Sequence, residues 1–256
     1  KELHFATLAV HAGESPCPAT GALDTPIYQS TTFVSADSDE MAAVYGEEKF
    51  GYMYTRYGNP TLRALEDKVA ALEGGEAALA FASGMAAISS AILAYVKAGD
   101  HVVAARSLYG AAYNFLNKKL PQLGASATFV GSPRVEDFEK SLRPNTRLIY
   151  FETPSNPVLE ILDIAAIADM ARLRGIPSMI DNTFASPALQ QPLKLGVTVV
   201  VHSATKYLCG HGDAMGVIVV GKPANLAEVK ASADKNLQGP FRRILGKLNK
   251  VNPVFS

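Results

Sequence analysis

The chain predicts an α/β fold with a mostly parallel sheet covered by helices on both faces, and three observations carry that expectation. Short apolar runs of strand length recur along the sequence, amphipathic segments with recognisable caps stand between them, and polar or aromatic residues gather just after the runs. Strands alternating with helices imply parallel pairing with both sheet faces covered. With 256 residues and 48% apolar composition, the chain can form one large α/β domain with a substantial core.

The strands are expected at Ala78–Ala82, His101–Ala105, Ala127–Val130, Leu148–Phe151, Pro177–Ile180, Val197–Val201 and Val217–Val220. A helix is expected from Pro60, with Asn59 as its N-cap and proline at its first position. Leu62, Leu65, Val69 and Leu72 then share a face, and Gly74 can end the helix. Ser83-Gly84-Met85 marks the turn from the first strand into a helix rich in Ala, Ile and Leu. Asp163 is placed to cap a helix running to Gly175, with Ile164, Ile167, Ala168 and Ala171 facing inward. No internal repeat or low-complexity segment stands out.

Bulk properties narrow the function. Lysine and arginine number 24 and aspartate and glutamate 24, with no basic block of the kind that nucleic acid demands. The most basic stretch, Arg242-Arg243 with Lys247 and Lys250, reads as a solvated helix face. No apolar run reaches the roughly 18 residues of a membrane span. The first residues, Lys1 to His4, lack the apolar core of a signal peptide, so a soluble cytoplasmic protein is expected. Cys17 and Cys209 fit no metal or redox spacing, and no metal is expected.

In sheets of this kind ligands bind beyond the carboxyl ends of the strands. Five such ends carry polar or aromatic sets: Ser83-Gly84-Met85, Ser107 to Gly110, Glu152 to Pro157, Asp181-Asn182-Thr183, and His202 to Lys206. A glycine at a strand–helix turn admits a ligand close to backbone N–H groups at a helix start, a natural phosphate seat. Tyr109 offers a flat ring for stacking. Asp181 ends a strongly apolar strand, where a buried carboxylate needs a positive partner, or else caps the turn at Asn182-Thr183. Lys206 follows one helix and one strand later, so the two can occupy adjacent strand ends. A lysine that binds an aldehyde as an imine and an aspartate that pairs with a pyridinium nitrogen are the minimal set for pyridoxal phosphate (PLP).

Other readings of these residues fail. Ser203 to Lys206 spells S-x-x-K, but the S-D-N and K-T-G partners of that acylase signature are absent from the chain. His202, Cys209, His211 and Asp213 have metal-binding side chains at a spacing that fits no common zinc motif. The stretch "GHGDAMG" is not a dinucleotide fingerprint.

Eight stretches together resemble the Cys/Met-metabolism (trans-sulfuration) family of PLP enzymes, of fold-type I. They are "ATLAVHAG", "TPIYQSTTF", "YMYTRYGNPT", "LEGGEAALAFASGMAAI", "SLYG", "ETPSNP", "DNTFASPALQQPLKLG" and "HSATKYLCGHGD", in family order over residues 5–221. The resemblance implies a three-layer PLP-binding domain over residues 51–240, an N-terminal arm over 1–50, and an unaligned remnant of the C-terminal region over 241–256, the small C-terminal domain being absent or truncated. It implies that Lys206 holds the cofactor as an internal aldimine and later moves protons. Asp181 keeps the ring nitrogen protonated, and Tyr109 stacks on the ring. Gly84, Met85, Ser203 and Thr205 cradle the phosphate, and Asn156 lies near the ring oxygen and the substrate carboxylate. Tyr54 and Arg56 match a pair that completes the neighbouring subunit's site, which implies a homotetramer built as a dimer of dimers. The implied reaction is γ-elimination on a sulfur amino acid through a carbanion, with burial keeping Lys206 neutral as the base. The implied alternatives are γ-replacement, as in O-acylhomoserine sulfhydrylase or cystathionine γ-synthase, and a truncated PLP-binding scaffold of little activity. Ala111 stands where methionine γ-lyases typically carry cysteine, which argues against that particular label. The arginine that grips the substrate carboxylate belongs to the unmatched C-terminal part, and Arg242 and Arg243 are not taken as its replacement.

Overall fold

The structure, a computed structural model, describes residues 3–46 and 48–236. The expected remnant at 241–256, with Arg242, Arg243, Lys247 and Lys250, lies outside them. Two compact units part between Lys68 and Val69, so residues 51–68, read from sequence with the cofactor-binding domain, group with the N-terminal unit.

In the N-terminal unit, helix α1 spans Phe5–His11 and α2 spans Ser38–Tyr45, the latter capped by Asp37 accepting from Glu40 N. Neither helix has a buried residue. Helix α3, Pro60–Glu73, begins in this unit and ends in the larger one. Asn59 caps it as expected, its side-chain oxygen accepting from Thr61 N at 2.9 Å while its Nδ2 donates to Tyr28 O at 2.9 Å. Of the expected apolar face only the second half is covered: Val69 and Leu72 are buried, whereas Leu62 and Leu65 are 37% and 40% exposed. Helical spacing fixes which side chains share a face, not what lies over it.

The larger unit is built on one seven-stranded sheet. Its strands are β1 (Ala77–Phe81), β2 (His101–Ala105), β3 (Ser126–Val130), β4 (Thr146–Glu152), β5 (Ser178–Asp181), β6 (Val199–Ser203) and β7 (Val217–Gly221). They lie in the order β1-β7-β6-β5-β4-β2-β3, and only β7 runs against the rest. All seven expected strands form, each within two residues of its expected ends. Continuous Val, Ile and Leu runs suit strands buried on both faces, and β2, β5 and β7 are buried at every residue.

Helices α4 (Gly84–Tyr95), α5 (Gly110–Asn114), α6 (Val135–Lys140), α7 (Ile164–Leu173), α8 (Ser186–Leu189) and α9 (Pro223–Asn236) complete the unit. α4 packs on β7, β1 and β6 together with α9. The C-terminal half of α3 lies on the opposite face, where Val69 and Ala70 meet Ala78, Ile218 and Val220. Asp163 caps α7 through Ala166 N at 3.0 Å, and Ile164, Ile167, Ala168 and Ala171 are buried as expected. The two expected helix closers, Gly74 and Gly175, both take positive φ, +71° and +65°. At Gly75 a Cβ would fall 2.6 Å from Val220 Cγ1, so only glycine lets α3 run this close to the sheet.

Candidate active site

The carboxyl ends of β4, β5 and β6 lie side by side, and the larger unit gathers its polar residues there. Register pairing sets Glu152 against Asp181 and Asp181 against Val201. Both carboxylates are buried, Asp181 at 6% exposure and Glu152 at 4%. Among the described residues Asp181 has no ion pair. Its Oδ1 accepts from Thr183 N at 3.0 Å and from Thr183 Oγ1, the turn-cap alternative of the sequence. Thr183 Oγ1 in turn accepts from Ser203 N at 2.8 Å, which ties the ends of β5 and β6 together. Asp181 Oδ2 makes no hydrogen bond among the described residues.

Glu152, the first residue of "ETPSNP", has no role implied by the sequence. Its Oε2 accepts from Tyr109 N at 2.6 Å and its Oε1 from Asn156 N at 2.9 Å. One carboxylate thus anchors the backbone of two expected site residues. Burial, reinforced by the charge of Asp181, pushes Glu152 up to about 8. Burial also raises Asp181, against the two bonds from Thr183 and the nearby His202. Two carboxyls this close in a dry corner do not both ionise readily.

The loop after β4 is wired to itself. Ser155 Oγ bonds Ser107 Oγ at 2.7 Å and accepts from Glu160 N at 3.1 Å, while Thr153 Oγ1 accepts from Leu162 N at 3.0 Å. Both X-Pro bonds in this loop, Thr153-Pro154 and Asn156-Pro157, are cis. Tyr109 precedes α5 with its side chain 45% exposed, and its ring is open for stacking.

Gly84 and Met85 open α4. Ser83 caps the helix, accepting from Ala86 N at 3.3 Å, so the N–H groups of Gly84 and Met85 have no partner within the helix. A Cβ on Gly84 would meet only Val217, at 3.8 Å, so the space beside this helix start is not filled by protein. Ser203 ends β6 with no bond from its hydroxyl among the described residues. Thr205, expected beside it as a phosphate ligand, has its hydroxyl engaged: it donates to Gly216 O at 3.2 Å and accepts from Gly216 N at 3.1 Å.

Lys206 sits in the turn after β6, its N–H donating to Ser203 O at 3.1 Å. The expectation that it is buried is not met: its side chain is exposed and has no ion pair among the described residues. In the N-terminal unit Tyr54 and Arg56 stand together, the guanidinium of Arg56 lying over the Tyr54 and Tyr57 rings at 4.8 and 4.7 Å. No group of three or more metal-ligating side chains occurs among the described residues, and no helix there is long and apolar enough to cross a membrane.

These residues fit the cofactor that their chemistry suggests. Among the described residues, a free carboxylate oxygen on Asp181, unpartnered N–H groups and open space at the start of α4, and an unpaired amine on Lys206 are the three contacts that an aldehyde-bearing pyridine phosphate requires.

Comparison with known proteins bears on the same residues. The family model for Cys/Met metabolism PLP-dependent enzymes matches residues 6–244. The L-methionine gamma-lyase of Porphyromonas gingivalis is 48% identical over 236 residues, 92% of this chain and 59% of the relative. The O-acetyl-L-homoserine sulfhydrylase of Leptospira meyeri is 48% identical over 214 residues, covering 84% of this chain and 48% of that protein. The crystal structure of metB from Corynebacterium glutamicum superposes with a TM-score of 0.85 at 41% identity, over 93% of this chain and 60% of that one. The chain therefore spans about three-fifths of the length of the methionine gamma-lyase and the metB structure. With its fold, its strand-end residues and the match over nearly its whole length in agreement, the chain belongs to the Cys/Met metabolism family of PLP-dependent enzymes.

Proposed function

We propose that this chain carries the cofactor-binding part of a carbon–sulfur lyase that acts by γ-elimination on methionine, cystathionine or homocysteine-like substrates. The observation that carries the reading is the strand-end cluster of Asp181, Glu152 and Tyr109, with Lys206 in the turn after the next strand, in a chain 48% identical to a methionine gamma-lyase. That identity outweighs the argument from Ala111 against the methionine label.

In this reading Lys206 Nζ would hold the cofactor at its aldehyde group, and the N–H groups of Gly84 and Met85 with the Ser203 hydroxyl would hold its phosphate. Thr205 keeps the Lys206 turn in place through Gly216 and reaches the phosphate only if that pairing gives way. When bound, the cofactor supplies an electron-withdrawing ring that stabilises negative charge at the substrate Cα. Asp181 Oδ2 holds the ring nitrogen's proton. Lys206 Nζ would take the proton from the substrate Cα, and a further proton transfer from Cβ would let the thiol leave Cγ. Tyr109 stacks on the ring and supplies the proton that leaves with the thiol. Asn156 lies near the ring oxygen and orients the substrate carboxylate. Tyr54 and Arg56 reach the phosphate of a neighbouring subunit, in a cytoplasmic homotetramer.

γ-Replacement is the second reading, favoured by the equal identity to the O-acetyl-L-homoserine sulfhydrylase. Incubating the cofactor-loaded chain with methionine, cystathionine, homocysteine and O-acetylhomoserine plus sulfide tests both. Release of 2-oxo acid, ammonia and thiol is the expected result. Thiol capture without ammonia release would establish replacement, and bound cofactor without any turnover would leave a scaffold.

A further inference from the structure

Behind the site, on the other face of the sheet, lies a buried pair that the reaction above does not use. β5 and β6 pair Asp181 with Val201, so the next side chains, Asn182 and His202, turn to the opposite face, toward the end of α3. There Glu73 Oε2 stands 3.5 Å from His202 Nε2, and Glu73 Oε1 accepts a long bond from Asn182 Nδ2 at 3.5 Å. Glu73 and Asn182 are wholly buried and His202 is 1% exposed. Glu73 Oε2 and both ring nitrogens of His202 make no hydrogen bond among the described residues. Asn182 is otherwise fixed by Gln190, whose Nε2 donates to Asn182 Oδ1 at 2.7 Å and to Thr153 O at 2.9 Å. Glu73 therefore meets the ends of both strands that carry Asp181 and Lys206.

A lone buried carboxylate costs several kcal/mol, and a lone buried imidazolium costs as much. Facing each other at 3.5 Å, the two side chains offset part of that cost for one another. Burial raises Glu73, against His202, Asn182 and the more distant Lys194. Asp181 feels His202 from this face, while Glu152 and Tyr150 face it from the other.

We propose that Glu73 and His202 are positioning residues for Asp181: the buried polar pair they form behind that carboxylate sets how well it holds the cofactor's ring nitrogen. The proposal rests on the reading of Asp181 given above. Reciprocity follows, because a pair that alters Asp181 must itself be altered by Asp181.

The full chain labelled with ¹⁵N-histidine tests this, the His202 resonances being assigned by their loss in His202→Gln. We expect Glu73→Gln, and independently Asp181→Asn, to move the His202 ring-nitrogen resonances. Glu73→Gln should also weaken PLP binding about tenfold, and add little further loss on an Asp181→Asn background. His202 resonances indifferent to Asp181→Asn would overturn the proposal. So would a folded Glu73→Gln protein that loses only unfolding temperature while binding PLP unchanged. If the unsubstituted chain binds no PLP, the reading of Asp181 fails, whereas the histidine resonances still decide whether the pair and Asp181 are coupled.

Discussion

The two edges of one sheet treat buried titratable groups in opposite ways. At the amino edge His101, the first residue of β2, is wholly buried with both ring nitrogens partnered, Nδ1 to Thr146 Oγ1 and Nε2 to Thr128 Oγ1, each at 2.9 Å. Nothing in that environment waits for a ligand, and burial followed by the charge of Arg143 pushes His101 down to about 4. At the carboxyl edge Asp181 is buried beside a second buried carboxylate, with one oxygen bonded and one free among the described residues, and the lysine in the turn after the next strand is exposed and without an ion pair among them. A satisfied buried polar group secures the fold; an unsatisfied one, next to open space, is where a ligand completes the bonding.

Substitutions can break this contrast. Lys206→Ala has the largest expected effect: complete loss of the visible absorption band that lysine-bound PLP gives, in a protein that still folds, because the side chain is exposed. A band of unchanged intensity would place the imine elsewhere. Asp181→Asn comes next, expected to weaken PLP binding about a hundredfold, since a buried charged partner contributes about 3 kcal/mol; titration by fluorescence measures it. An affinity within twofold of the original would mean that Oδ2 does not meet the ring.

Two smaller effects sharpen the contrast through opposite pH slopes. Glu152 is raised from 4.5 to about 8 on folding, so its contribution to stability is full below pH 4.5 and disappears as pH rises through about 8. Glu152→Gln should remove that alkaline decline, read as a few degrees in unfolding temperature, while loosening Tyr109 and Asn156. His101 is lowered from 6.5 to about 4, so its contribution is full above pH 6.5 and is lost as pH falls through about 4. His101→Gln should flatten that acid slope and leave PLP affinity unchanged. A changed affinity would join the two edges that the structure separates.

The strands were legible because buried parallel strands read as continuous apolar runs, and Asp181 and Lys206 because each immediately follows one. Glu152 stands in the same position, yet its partners Tyr109 and Asp181 come from other strands, and only the register of β4 against β5 brings them together. Thr183 stands in the turn that the sequence predicts; its second bond, from Ser203 N, is likewise non-local. The Glu73–His202 contact spans from a helix end to a strand that no local pattern links. The exposure of Lys206, Leu62 and Leu65 could not be read either, since spacing reports faces and not their cover.

The central claim is that the carboxyl edge of this sheet binds pyridoxal phosphate through one amine. Borohydride reduction of the PLP-loaded chain, followed by peptide mass mapping, tests it most directly. The account predicts a single phosphopyridoxyl label, on the peptide that contains Lys206. A label spread over surface lysines, or concentrated on any other one, would contradict it.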